Sequence, residues 1–176
     1  MSDRVPEVVF LDVGDTLIRA HPSWAAVYRQ GLLEEGMDLS EKQLERCRKN
    51  APGCSFELMD ATSLEFPGRS FENVICVEAA FHFNTREKFF RQAYRVLKPG
   101  GRLVLSDILF RPGAEARSRS LNTRNWVEDP EAYREIMTRA GFEDVQVIDA
   151  TLQCWRGFDA HRTRYALELI REGRLA

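Results

Sequence analysis

The sequence predicts an α/β fold, a mostly parallel sheet covered by helices on both faces, and three observations carry that expectation. Short apolar, β-branched runs recur along the chain, at residues 8–13, 71–78 and 102–109. Stretches of helical spacing, not hairpin turns, lie between them. Residues 70–109 condense the pattern into strand, helix over 85–97, a Lys98-Pro99-Gly100-Gly101 turn and a second strand. Two near-continuous apolar strands joined by one helix make a βαβ crossover, which requires parallel pairing and burial on both faces. Open sheets of this kind bind ligands outside the carboxyl ends of their strands. Both strands here finish in polar groups, Glu78 and Ser106-Asp107.

The other elements follow in order. Val8-Val9-Phe10-Leu11-Asp12-Val13 is a buried-type strand, turned over by Gly14-Asp15-Thr16. Pro22 suits a helix start, and Trp24, Val27, Tyr28 and Leu32 recur near helical spacing up to Gly36, a plausible stop. Met37-Asp38-Leu39 is too short to assign as a strand, and no clear second strand stands between Trp24 and Asp38. Ser40 followed by Gln43 has the form of a capping box opening a helix to about Asn50. Pro52-Gly53 breaks it, residues 55–60 alternate as a strand, and 61–69 form a loop. Beyond the central unit, 111–124 is a polar loop and Asp129-Pro130 opens a helix that ends at Gly141. Residues 145–149 are the last expected strand, and the chain from Phe158 onward reads as an exposed helix.

Composition narrows the function classes. A chain of 176 residues fits a single domain, and a domain near this size buries about 68–70% of its unfolded-chain surface. A 44% apolar and 30% charged content is that of a globular protein in water. The formal net charge of −2 gives no electrostatic case for nucleic acid. Apolar runs fall far short of the ~20 residues a membrane helix needs. Met1-Ser2-Asp3-Arg4 opens no basic-then-apolar export signal, so a cytoplasmic location is expected. The four cysteines lack the C-x-x-C spacing of a zinc or redox site and are expected as thiols, with no metal site implied. Oligomeric state is not legible in the sequence.

Four motifs in order carry a family resemblance: Glu57-Leu58-Met59-Asp60-Ala61, Phe66-Pro67 with Ser70-Phe71-Glu72, Val77-Glu78-Ala79-Ala80-Phe81-His82-Phe83, and Arg95-Val96-Leu97-Lys98-Pro99-Gly100-Gly101-Arg102-Leu103. From about Gly36 onward the chain resembles the class I S-adenosyl-L-methionine-dependent methyltransferases, closest to those acting on small natural products, sterols and quinones. The resemblance implies a three-layer Rossmann-like sheet, S-adenosyl-L-methionine as cofactor and a small-molecule acceptor, methylated on oxygen. It implies that Asp38 accepts the ribose hydroxyls, two donors for two carboxylate oxygens. Asp60 and Ala61 would read the adenine, and Glu78 would border the methionine moiety. His82 would be the general base, suited by an ordinary pKa near 6.5. Asp107 would stand beside it, orienting the ring and raising its basicity. Phe81, Phe83, Trp126 and Trp155 are candidate walls of an apolar acceptor pocket.

The start of the chain departs from that family. Its Gly-rich loop, roughly L-D-x-G-x-G-x-G, is replaced here by Leu11-Asp12-Val13-Gly14-Asp15-Thr16-Leu17-Ile18, with the second and third glycines gone. Residues 5–44 instead resemble the first motif of the haloacid-dehalogenase-like hydrolases. That resemblance implies Asp12 as nucleophile and Thr16 as its positioner, with Gly14 where the acid/base aspartate would stand. Two partial families meeting near 36–44 suggest a chimera, a hydrolase-like 1–36 fused to a methyltransferase-like 37–176. Such a body would be incomplete at both ends, for the family's final antiparallel strand is missing too. An inert α/β domain is the remaining reading.

Overall fold

The structure, a computed structural model, describes residues 8–11, 35–110 and 123–173. The chain divides into two compact units, residues 1–145 and 146–176. The first contains a five-stranded sheet: β1 (Val8–Leu11), β2 (Glu35–Asp38), β3 (Ser55–Leu58), β4 (Phe71–Val77) and β5 (Leu97–Ser106). Its order is β3-β2-β1-β4-β5, and every pairing is parallel. Chain direction across the sheet reverses between β1 and β4, the switch point beside which such sheets bind ligands. The expected α/β class is therefore observed, with the first strand in the central position.

Register aligns the strand ends. Leu11 pairs with both Met37 and Cys76, Met37 with Glu57, and Cys76 with Leu105. That row crosses all five strands near their carboxyl ends. Asp38, Asp60, Glu78 and Asp107 each follow it within three residues.

Helix α1 (Glu41–Asn50) packs Leu44 against Phe56 and Ala51, with Cys47 and Cys54 at the margin. Helix α2 (Arg86–Val96) carries Phe89, Phe90, Ala93 and Val96 at helical spacing, all fully buried. Burial of each phenylalanine stabilises the fold by up to about 3 kcal/mol. Val74 and Cys76 of β4 are buried as well, and no β4 residue is exposed, as a strand covered on both faces requires. Rings then run from Phe83 through Phe89 and Phe90 to Tyr133 of α3 (Pro130–Ala140), with centroids 5.0–5.5 Å apart. Asp129 caps α3 by accepting Ala132 N–H at 2.8 Å. Gly141 ends it at φ 113, where a Cβ would stand 2.8 Å from the Tyr94 ring. The second unit is mainly α4 (Thr151–Arg171).

Several local expectations are corrected. Gly36 does not stop a helix; it lies inside β2, the second strand that sequence patterning did not find. Glu35-Gly36-Met37-Asp38 has weak strand propensity, and pairing with β1 on one side and β3 on the other imposes the conformation. The capping box at Ser40 and Gln43 does not form. Ser40 is the N-cap residue but its hydroxyl makes no cap bond, while its N–H donates to Asp38 Oδ1 at 2.7 Å. The Gln43 amide oxygen accepts from Arg46 instead. Strand β5 starts at Leu97, earlier than expected, because the Lys98–Gly101 turn bulges within it. Phe71 pairs with Leu97 and Asn73 already with Arg102. Gly100 takes φ 78 at that bulge. Residues 145–149 form no strand, and α4 begins at Thr151, seven residues before Phe158. An apolar alternation without a neighbouring strand has no ladder to join. The helix expected from Pro22, most of the 111–124 loop, and Asp12, Gly14 and Thr16 lie outside the described residues.

Candidate functional site at the carboxyl edge of the sheet

Two acidic turns close β2 and β3. Asp38 is buried, and its Oδ1 accepts Ser40 N–H, while its carbonyl takes Met59 N–H at 3.1 Å and ties the two strand ends together. Burial raises the Asp38 pKa above its ordinary value, against backbone hydrogen bonds from Ser40 and Leu39 that lower it. A desolvated carboxylate of this kind is offset by further donors, and two vicinal hydroxyls would supply them. Asp60 lies just past β3, with Oδ1 accepting Thr62 N–H at 2.7 Å and the Thr62 hydroxyl at 2.8 Å. Ser63 N–H closes the turn on the Asp60 carbonyl, and Ala61 is buried between. These residues fit the nucleoside half of the expected cofactor.

Glu78 follows β4 at φ 50, the left-handed region that side-chain-bearing residues rarely adopt. Its N–H donates to the Ser106 carbonyl at 2.9 Å, which holds the strained residue against the end of β5. Burial raises the Glu78 pKa first, a Ser106 hydrogen bond lowers it, and the Asp107 charge raises it.

The chain then makes a single 3-10 turn, Ala80–His82. His82 is exposed at its rim, with its ring 4.0 Å from that of Phe81. Partial burial lowers the His82 pKa from 6.5, and the nearby Asp107 charge acts in the opposite sense. Burial thus favours the neutral imidazole, the form able to accept a proton.

Asp107 has a different arrangement from the one its resemblance implies. Oδ1 accepts Phe81 N–H at 3.0 Å and Ile108 N–H at 2.9 Å, and Oδ2 accepts Arg86 Nε at 2.6 Å and the Tyr133 hydroxyl at 2.8 Å. Four donors use the acceptor positions of a carboxylate. Asp107 thus acts on His82 through its charge and through the Phe81 backbone, not as an acceptor that orients the ring.

Three residues of this cluster escaped sequence reasoning. Arg86 and Asp107 have side chains only 4% and 5% exposed. The Arg86 guanidinium also donates to the Ile108 carbonyl at 2.9 Å and to the Asn125 carbonyl, and it lies 5.8 Å from the Tyr133 ring centroid. Asn125, buried as well, accepts Arg86 N–H through its side chain and donates to the Ala80 carbonyl at 2.8 Å. One sequence signal existed for Arg86. It stands at the first helical position after the Thr85 cap, where the helix dipole disfavours a cation.

A small hollow opens beside this cluster, walled by Phe81, Leu109, Phe110, Trp126 and Val127, with Arg86 and Asn125 contributing polar atoms. Of the candidate pocket walls, Phe81 and Trp126 line this hollow. Phe83 does not, being buried in the core against Phe89. The Trp155 side chain lies outside the described residues.

Comparison with known proteins decides the family. A methyltransferase-domain profile matches residues 11–105, more than half of the chain. The chain belongs to the class I S-adenosyl-L-methionine-dependent methyltransferases. The match begins at residue 11 and so takes in Asp12 and most of the 5–44 segment that resembles the dehalogenase-like hydrolases; neither a hydrolase-like start nor a fusion is supported. The 27-O-demethylrifamycin SV methyltransferase of Amycolatopsis mediterranei is 34% identical over 123 residues, 64% of this chain and 45% of that protein. The erythromycin 3''-O-methyltransferase of Saccharopolyspora erythraea is 38% identical over 107 residues, 52% of this chain and 35% of the relative. A solved phosphoethanolamine N-methyltransferase 2 of Haemonchus contortus, in complex with S-adenosyl-L-methionine, superposes with a TM-score of 0.68 at 25% identity, over 92% of this methyltransferase chain and 39% of its own. This chain therefore spans less than half the length of each of these relatives. Among its described residues, no helix is long and apolar enough to cross a membrane.

Proposed function

We infer that this chain transfers a methyl group from S-adenosyl-L-methionine to a hydroxyl of a small-molecule acceptor, with His82 as general base. The single observation carrying this reading is the position of His82 just past the carboxyl end of β4, with its ring against Phe81, which also lines the hollow. When bound, the cofactor supplies an electrophilic methyl group on sulfonium. The residues of this chain do the rest. Asp38 accepts the ribose hydroxyls, Asp60 and Ala61 border the adenine, and Glu78 lies toward the amino-acid portion. Phe81 and Trp126 would border the acceptor and help to exclude water, positioning its hydroxyl for transfer. His82 takes the hydroxyl proton as the oxygen attacks, and the Asp107 charge stabilises the imidazolium formed. The relatives methylate oxygen or nitrogen by their names; a histidine base, which a hydroxyl nucleophile needs more than a neutral amine does, favours a hydroxyl here.

Binding is tested first. Thermal unfolding with S-adenosyl-L-methionine at 100 times its Kd is expected to show about 2.7 kcal/mol of added stability, and no shift at millimolar cofactor would end the proposal. Transfer of a labelled methyl group is then measured on parallel panels of phenols, aliphatic alcohols and amines. Turnover on hydroxyl compounds is expected to fall about 10²- to 10⁴-fold in His82→Gln, with cofactor affinity kept. Labelling confined to amines would move the assignment from oxygen to nitrogen.

A further inference from the structure

We propose that Arg86, Asn125 and Tyr133 form a positioning platform that holds the His82 turn at the site and, through Asp107, sets the charge environment of the imidazole. The proposal rests on the reading of His82 as base. It concerns what these residues do to His82 through others, although Arg86 and Asn125 also line the hollow.

The 3-10 turn that carries His82 is too short to hold itself: its internal bonds are His82 N–H to the Ala79 carbonyl and Phe83 N–H to the Ala80 carbonyl. Two outside bonds fix it. Asn125 Nδ2 donates to the Ala80 carbonyl at 2.8 Å, and Phe81 N–H donates to Asp107 at 3.0 Å. Both partners are themselves immobilised by Arg86. The guanidinium bonds Asp107 Oδ2 and the Asn125 carbonyl, while the Arg86 backbone N–H bonds the Asn125 side chain. Tyr133 supplies the fourth donor to Asp107 from α3 and packs its ring against Phe90. Residues from α2, α3, the 123–125 turn and the position just past β5 thereby converge on one three-residue segment. Buried charge pairs are costly unless fully hydrogen-bonded, and such networks are retained where they specify one conformation.

Among the described residues, the charged and titratable groups of this cluster are four. Asp107 and Glu78 come from the strand ends, Arg86 from α2, and Tyr133 is held neutral because burial and the Asp107 charge push its pKa far up. Asp107 is the group acting on His82, and the platform decides both its distance and how far its charge is satisfied by donors.

The test is an NMR titration of the imidazole in the full chain, with the His82 signal identified by its absence in His82→Gln. Asn125→Ala is expected to free the turn, so His82 becomes better solvated and titrates higher, toward 6.5. Asp107→Asn removes the favourable charge, and His82 is expected to titrate lower than in the parent. Tyr133→Phe keeps the ring and removes one donor from Asp107; the less satisfied carboxylate should raise the His82 pKa by a small amount while circular dichroism stays that of the parent. Should Asp107→Asn not fold, the Asn125→Ala and Tyr133→Phe pair decides. An unchanged His82 titration in both folded variants would overturn the platform. On a hydroxyl acceptor, Asn125→Ala should lower kcat about tenfold, with the KM for S-adenosyl-L-methionine kept and the acid limb of the pH profile moved upward. A raised cofactor KM with an unmoved pH profile would equally overturn it. If instead His82→Gln transfers methyl groups at the parental rate, the base assignment fails while the titration still reports on the platform.

Discussion

Asp38 and Asp60, at the ends of β2 and β3, take side-chain hydrogen bonds from residues two positions away, Ser40 and Thr62. Asp107, at the end of β5, draws on Arg86, Phe81 and Tyr133, 21 to 26 residues distant, and Asn125 reaches across 45 residues to Ala80. The same sheet edge is thus built by two methods. On the proposed nucleoside side, a short acidic turn presents each carboxylate by local geometry, where a bound cofactor would supply further donors. On the acceptor side, long-range contacts between four parts of the chain must all be in place before His82 is. The difference suits the tasks. In the proposed reading, ribose and adenine would be constant ligands that a local turn can read, whereas a general base would have to be set against its acceptor to within an ångström or less.

That contrast can be broken experimentally. The largest effect is expected on the acceptor side: Arg86→Ala leaves the Asp107 charge buried and unpaired, and should cost about 3–5 kcal/mol of unfolding free energy in a denaturant titration. A loss below about 1 kcal/mol would mean that this side is as local as the other. Next, Asp38→Asn keeps volume and turn but removes the charge toward the ribose. Cofactor Kd, read by calorimetry, should rise about 10- to 100-fold, the worth of a hydrogen bond to a charged group, with stability little changed. A large loss of stability with unchanged Kd would reverse the assignment of the two sides.

A smaller effect follows from His82. Its pKa in the folded chain lies below the ordinary 6.5, so the folded state binds fewer protons than the unfolded one in that window. Its contribution to stability is present above pH 6.5 and is lost as pH falls through the lowered value. Stability should therefore rise with pH across that interval, and His82→Gln should flatten the rise in parallel denaturant titrations. The smallest effect is a control: Arg91→Ala breaks an exposed i,i+4 pair with Glu87 and should cost no more than about 0.5 kcal/mol.

The sequence determined by itself what depends on local pattern. The βαβ unit was legible because β4 is apolar on both faces and α2 carries Phe89, Phe90, Ala93 and Val96 on one stripe. The bounds of α3 were legible from the Asp129 cap and Gly141. The carboxylates at the strand ends were found because polar residues terminating apolar runs mark the carboxyl edge of a parallel sheet. Tertiary structure alone decided the rest. Strand β2 exists because β1 and β3 flank Glu35–Asp38, against weak intrinsic propensity. Residues 145–149, with a better strand pattern, form none, because a strand is stabilised by its neighbours and not by its own alternation. Arg86, Asn125 and Tyr133 bear no motif, and their importance lies in hydrogen bonds that only the folded chain creates. Their convergence gives Asp107 a full set of donors and leaves His82 under its charge, an arrangement that spacing along the chain cannot encode.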